Sequence, residues 1–250
     1  MNETITLLKS HRSIRKFKDV PLEEGHLHEI LTAAQAASTS SNIQAYSAVI
    51  VRDKERKSRL GELAENQQQV EESPLFLIWL ADLNKISKAI QLHESAELKQ
   101  NTELFILATV DATLAAQNAA VAAESLGYGI VYIGGIRNRP QEVSDLLALP
   151  DLVYPVFGMC IGVPNQEPDI RPRLPFDAVF YEELYQSDKL STYIQDYDEI
   201  TSRYYATRKG GGKGGETNTR WSKEMLKRFN GERHREHMYD FLKRRGFDLT

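Results

Sequence analysis

Cysteine is almost missing: Cys160 is the single one among 250 residues. No disulfide can form within the chain, which fits a reducing compartment and excludes a stapled secreted scaffold. Cys160 lies in the apolar run VFGMCIGV, where a thiol behaves as a small buried hydrophobe. No apolar run approaches the ~20 residues needed to cross a bilayer. The opening MNETITLLKS has neither a charged lead nor a long apolar stretch, so no secretory signal is expected and the chain reads as cytoplasmic. Standard nucleotide and hydrolase signatures are missing as well. GYGIVY carries Gly127 and Gly129 but has Tyr132 where the last glycine of a dinucleotide loop would stand. The glycines around Lys213 lack the Gly-Lys-Ser/Thr ending of a phosphate loop, and no G-x-S-x-G elbow is present. The pairs His26/His28 and His234/His237 lack the Cys or acidic co-ligands of a metal site.

What is present is ordinary soluble globular composition, 41% hydrophobic and 26% charged, enough to form a core without staples. The net charge of −4 is unevenly placed. From Thr201 onward there are thirteen Lys/Arg against six Asp/Glu, which leaves eighteen basic (31 − 13) and twenty-nine acidic (35 − 6) residues before it. A basic tail on an acidic body suits nucleic acid, a protein partner or a phosphorylated small molecule, and the sign alone does not choose.

Hydrophobic periodicity predicts a short helix over 3–10 and a second over 22–37, started by Pro21. YSAVIVRD (46–53) reads as a strand and KERKSRLGELA as a short exposed helix. PLFLIWLAD (74–82) has the wholly apolar pattern of a strand buried on both faces. The alanine-rich segment 103–127, closed by Gly127, is the longest helical pattern and suits a core or a subunit interface. YGIVYIGGIRN (128–138) reads as a strand running into a Gly-Gly turn, with a helix over 140–149. YPVFGMCIGVP (154–164) is another buried strand. A proline-rich irregular stretch follows, then a helix over 190–206, a mobile glycine-rich loop near 209–217 and a basic helical arm over 221–246. Together these give an α+β or α/β layered fold in a single domain, 1–250.

Several segments carry groups suited to anions. His11, Arg12, Ser13 and Arg15 in HRSIRKF combine guanidinium forks, a hydroxyl and a ring donor, a match to a phosphate's acceptor oxygens. The alternative is a helix-to-loop junction whose arginines form surface ion pairs, and that reading is the commoner one for such a cluster taken alone. Thr39, Ser40 and Ser41 supply hydroxyls, or simply end a helix. Tyr132, Ile133, Gly134 and Gly135 form a turn where a flat ligand could approach the backbone, since glycine has no Cβ. Arg171 and Arg173, pinned by Pro172 and Pro175, are rigidly presented cations or structural ion-pair partners.

Taken in order, these pieces resemble the nitroreductase superfamily, in its NADPH-dependent nitroreductase and flavin reductase branch. HRSIRKF, STSSNIQ (38–44), NQQQ (66–69), AAQNAAVAAESLG, YIGGIRN and RPRLP carry the resemblance over almost the whole chain. It implies a mixed sheet flanked by helices with a C-terminal helical excursion, in an intertwined homodimer with FMN at the subunit interface. His11, Arg12, Ser13 and Arg15 would then hold the FMN phosphate and ribityl side. Thr39, Ser40 and Ser41 would approach from the partner chain, although the branch often has serine where Thr39 stands. Gln67 and Gln69 would sit near the flavin, and Tyr132 to Gly135 would run beside its ring. Arg171 and Arg173 would lie in the RPR loop, where the branch commonly has lysine first. Arg203 and Arg208 resemble a clamp for the NADPH 2′-phosphate, which explains the basic tail without nucleic acid. The implied activity is hydride transfer from NADPH through bound FMN to nitroaromatics, quinones or free flavin in a ping-pong cycle. No side chain acts as catalyst in it; Arg15 and Arg171 give electrostatic support. A flavin-binding or regulatory protein without turnover uses the same residues.

Overall fold

A computed structural model of the chain describes residues 2–93, 96–208, 219–230 and 235–250. The glycine-rich loop expected near 209–217 and His234 lie outside the described residues. The chain forms two compact units, residues 1–166 with 235–250, and residues 167–234.

The first unit is built on four strands, β1 (Tyr46–Val51), β2 (Leu75–Asp82), β3 (Gly129–Ile133) and β4 (Val153–Gly162), in the order β1-β2-β4-β3. All three strand pairs are antiparallel. Parallel character enters through the Ser13–Ile130 bridge on β3, so the sheet is mixed where HRSIRKF joins it. Every residue of β2 is buried, as its apolar pattern predicts. Side chains alternate across a strand. Accordingly Phe76, Ile78 and Leu80 enter one core layer with Leu60, Leu63 and Val70, while Leu75, Leu77 and Trp79 enter the other with Leu27, Ile30 and Ala116. The α+β architecture is thus a sheet with apolar layers on both faces.

The helices of this unit are α1 (Glu3–Lys9), α2 (Glu24–Gln35), α3 (Lys54–Leu63), α4 (Gln68–Glu72), α5 (Asn84–Gln91), α6 (Thr102–Ser125) and α7 (Pro140–Leu146). Helix α6 is the longest, and it buries Ala108, Ala112, Ala115, Ala116, Ala119, Ala120 and Ala123. A methyl side chain lets helix and sheet approach closely, so this face follows directly from the alanine run. By length and composition α6 is apolar enough to cross a membrane, contrary to the sequence expectation; 44% of its apolar window is buried inside the protein.

Two expectations need correction. Helix α3 is not simply exposed: Lys57, Leu60, Gly61 and Leu63 are buried. Lys57 Nζ donates to the carbonyls of Glu71 (3.1 Å) and Ser73, and burial lowers its pKa. A cation over the carbonyls that end α4 is favoured there. The basic arm expected over 221–246 forms two helices rather than one, α9 (Trp221–Phe229) in the second unit and α10 (His237–Arg244) in the first. Arg245 follows α10 and is buried, donating to the carbonyls of Leu149 (2.7 Å) and Pro150.

In the second unit, α8 (Leu190–Thr207) caps the start of α9. Asp198 Oδ1 accepts from the Ser222 N–H at 2.8 Å, and Thr201 Oγ1 from the Trp221 N–H at 3.2 Å. These bonds satisfy amides that open a helix without an internal partner. Tyr197 and Trp221 add an edge-to-face contact at 5.7 Å.

The fastening of HRSIRKF to β3 depends on Gly129. A Cβ there would lie 2.4 Å from Ile14 Cγ1. Gly129→Ala should therefore destabilise the fold by about 1–3 kcal/mol, the usual cost of overpacking, read as a lowered urea midpoint.

Candidate functional site

HRSIRKF is an extended segment held at three places. The Ile14 N–H donates to the Ile130 carbonyl at 2.8 Å, Lys18 N–H to Val163 at 2.9 Å, and the Lys16 carbonyl accepts from Asn165 N–H at 2.9 Å. Ile14 and Phe17 are buried as its apolar anchors. Their burial leaves His11, Arg12 and Ser13 half-buried and Arg15 exposed. The Arg15 guanidinium bonds back to the Ser13 carbonyl at 3.3 Å. Cations placed by backbone pairing and apolar anchors cost little further ordering when an anion arrives.

His11 Nδ1 lies 2.6 Å from Glu124 Oε1 near the end of α6. Tyr132 is close to the same carboxylate. Its hydroxyl donates to Gln117 Oε1 at 3.2 Å, and burial, reinforced by Glu124, pushes its pKa up. The Tyr132 ring meets Phe157 edge-on at 5.1 Å. Thus α6 brings the first motif and the start of YIGG together.

The two glycines of that turn differ. A Cβ on Gly135 would sit 2.7 Å from the Ala64 carbonyl oxygen, whereas one on Gly134 would meet Arg137 Nη2 at an ordinary 3.6 Å. The close approach that Gly135 permits is therefore to the end of α3. Two left-handed residues, Glu65 (φ 68°) and Asn66 (φ 55°), turn the chain from there into Gln67. The Gln67 N–H reaches the Gly61 carbonyl at 3.1 Å, and the side chains of Gln67 and Gln69 bond to each other. Ile133 is buried in the layer that also holds Leu63 and Ala64.

Thr39, Ser40 and Ser41 lie at a 3-10 turn with left-handed Ser41 (φ 47°), Asn42 (φ 57°) and Gln44 (φ 54°). Asp111 of α6, fully buried, holds this turn: Oδ1 accepts from Ser40 N–H at 3.1 Å and Oδ2 from Ala45 N–H at 3.0 Å. Thr39 Oγ1 accepts from Gln44 N–H at 3.3 Å.

Arg171, Arg173, Arg203 and Arg208 belong to the second unit. Arg173 Nη1 donates to the Arg171 carbonyl at 2.9 Å, and Tyr197 Oη to the Pro172 carbonyl between them at 2.8 Å. Burial and Tyr205 raise the Tyr197 pKa, opposed by both arginines. Arg208 ends α8 with its guanidinium over the Tyr205 ring at 5.1 Å. Arg203, five residues earlier, is 79% exposed and only loosely paired with Glu199 at 3.9 Å. An exposed pair of this kind is worth little.

Among the described residues no group of His, Cys, Asp and Glu is placed to hold a metal. Cys160 is fully buried, and burial pushes its thiol up to about 12, so it is no nucleophile at neutral pH. The first unit offers a cationic segment and hydroxyl-bearing turns, and the second, taken by itself, offers further cations on α8. Guanidinium and hydroxyl donors of this kind suit the acceptor oxygens of a phosphate.

The sequence model described as "Nitroreductase family" matches residues 8–163, and that of its C-terminal domain matches residues 171–250. The chain belongs to the nitroreductase family. Among its relatives, a Bacillus subtilis protein called FMN reductase (NADPH) is 41% identical over 252 residues, covering 99% of each chain. A Vibrio harveyi NADPH-flavin oxidoreductase is 40% identical over 246 residues, covering 98% of each. Among solved structures, the NfrA1 nitroreductase from B. subtilis superimposes with a TM-score of 0.91 at 40% identity, over 98% of this chain and 99% of that one.

Asp111 and Glu124 escaped the sequence reading of this member of the family. Each is a lone acid inside an apolar helical run, a signal visible in ATVDATLAA and VAAESLG. Asp111→Ala should release the 39–45 turn. Losing a hydrogen bond to a charged group costs about 1.5–3 kcal/mol, so amide exchange at Ser40 and Ala45 should quicken at least tenfold.

Proposed function

We propose that the protein is an FMN-dependent NADPH oxidoreductase acting in the cytoplasm, reducing nitroaromatics, quinones or free flavin by alternate binding of NADPH and acceptor. The observation that carries this reading is the anchored cationic segment His11–Arg15 at the sheet edge, in a chain whose relatives are named as NADPH-flavin reductases. His11, Arg12, Ser13 and Arg15 hold the FMN phosphate. Gln67, Gln69 and residues Tyr132, Ile133, Gly134 and Gly135 line the flavin. Arg171 and Arg173 lend it positive charge, and Arg15 shares that role. FMN supplies the two-electron relay between reductant and acceptor. The fixed cations favour the negative charge that reduction brings, and no side chain need act as a base.

Thr39, Ser40 and Ser41 serve the flavin of a second copy in a homodimer. What supports this is spacing along α6. Asp111, which holds their turn, and Glu124, which holds His11, are thirteen residues apart, or about 20 Å of helix. That separation is awkward for one small ligand gripped by one chain at both ends. Arg203 and Arg208 clamp the 2′-phosphate of NADPH, the group that distinguishes it from NADH.

The purified protein should be yellow with bound FMN, or become so on incubation with it, and should oxidise NADPH steadily when given menadione. A protein that stays colourless with FMN overturns the reading; one that binds flavin without turnover is a flavin carrier instead. Arg203→Ala should raise KM for NADPH roughly tenfold, since a charge-assisted bond is worth about 1.5–3 kcal/mol, and leave KM for NADH nearly unchanged. Equal effects on both would remove the clamp.

A further inference from the structure

We infer that Glu124 is a positioning residue that makes His11 a phosphate donor, and so makes the site prefer FMN over flavin lacking a phosphate. This rests on the FMN reading above and assigns a role to a residue outside the cationic motif.

The argument starts from the two ring nitrogens. Nδ1 of His11 is committed to the Glu124 carboxylate at 2.6 Å, a charge-assisted distance. Nε2 has no hydrogen-bond partner among the described residues. With Nδ1–H given to Glu124, Nε2 is an acceptor in the neutral ring and a donor only in the imidazolium. A phosphate offers acceptors alone, so only the imidazolium satisfies both neighbours. The carboxylate fixes the ring's orientation and offsets its charge, as carboxylates do for histidines that serve metals.

Glu124 also repels a phosphate, so distance must decide the sign. The carboxylate is 2.6 Å from Nδ1, whereas a phosphate oxygen at Nε2 would be about 6 Å away across the ring, and Coulomb energy falls with separation. The repulsion thus acts at the longer distance, whereas the hold that fixes the ring and leaves Nε2 for the anion acts at contact, and fixing the ring outweighs the repulsion. The surroundings sharpen the effect: the Glu124 side chain is 13% exposed and that of His11 31%, so water screens the pair only in part. Helix geometry makes the placement firm. Ala120 and Ala123, next to Glu124 on α6, are buried in the core layer that includes Ile130, the bridge partner of Ser13. The carboxylate and the histidine are thus attached to the same rigid body from opposite sides. Arg12 and Arg15 carry permanent charge, and His11 is the member of the cluster whose donor capacity depends on a neighbour.

The test uses the flavin-free protein and the quenching of flavin fluorescence, titrating FMN and riboflavin in parallel into wild type, Glu124→Gln, His11→Gln and the double variant. Glu124→Gln should weaken FMN roughly tenfold and riboflavin less than twofold. The double variant should bind FMN within twofold of His11→Gln alone, because Glu124 acts through His11. Equal losses for both flavins would mean a merely structural role and overturn the inference, as would undiminished FMN binding or additive losses in the double variant. Should Glu124→Gln not fold, Glu124→Asp, which withdraws the carboxylate from Nδ1, carries the same comparison. Wild type binding neither flavin would instead sink the flavin reading itself.

Discussion

The close approach of α6 to the sheet is the constraint on which the first unit depends. Seven buried alanines let the helix axis come near β2 and β4, where larger side chains would hold it away. That proximity is what allows polar side chains on α6 to reach hydrogen-bond partners on neighbouring segments. Asp111 takes two amides of the 40–45 turn, Asn118 donates to the Ala33 carbonyl at 3.0 Å, and Glu124 reaches His11. A buried carboxylate is tolerable only when its lone pairs are satisfied. Asp111 therefore depends on its turn as much as the turn depends on it.

The sheet answers from the other side. Because β2 is buried on both faces, the cores above and below it must be filled independently, and period-two alternation does this with one strand. HRSIRKF extends the edge next to β3 and inserts Ile14 and Phe17 into the first of these layers. Strict alternation does not hold here, since Ile14 and Phe17 lie three residues apart yet share that layer; His11, Arg12 and Ser13 stay half-buried and Arg15 exposed beside these anchors. Clustering of like charge, unfavourable by itself, is sustained by apolar burial two and three residues away.

Much of this was legible. The runs that became β1, β2, β3 and β4 were readable because β-branched and apolar content leaves few alternatives. The ordered motifs carried the family. What escaped was of two kinds. Helix α5 (Asn84–Gln91) carries Ile86, Ala89 and Ile90 at helical spacing, but the pattern spans barely one turn and none of its residues is buried, so by sequence it reads as a connection. The roles of Asp111 and Glu124 depend on partners 71 and 113 positions away, which no local pattern encodes. The exposed appearance of α3 misled for a related reason: Lys57 reads as a surface residue, yet its ammonium closes α4 from beneath. A lysine is buried only where carbonyls await it, and those belong to another element.

The two groups of cations also differ in how they are held, and the difference has a functional logic. His11, Arg12 and Arg15 lie on backbone fixed by hydrogen bonds to Ile130, Val163 and Asn165, with His11 oriented in addition by a carboxylate. Arg203 projects from α8, mostly exposed, beside a carboxylate too distant and too solvated to detain it. Ordering a long side chain on binding costs about 0.5–1.5 kcal/mol, and a site that has met this cost in folding binds more tightly and releases more slowly. A resident cofactor is served by the first kind of site. A reductant that must leave in every cycle is better served by the second, because tight retention of the spent nucleotide would block the acceptor. Cations on anchored backbone at the sheet edge and an exposed one on α8 thus match the proposed division between a flavin that stays and a nucleotide that departs.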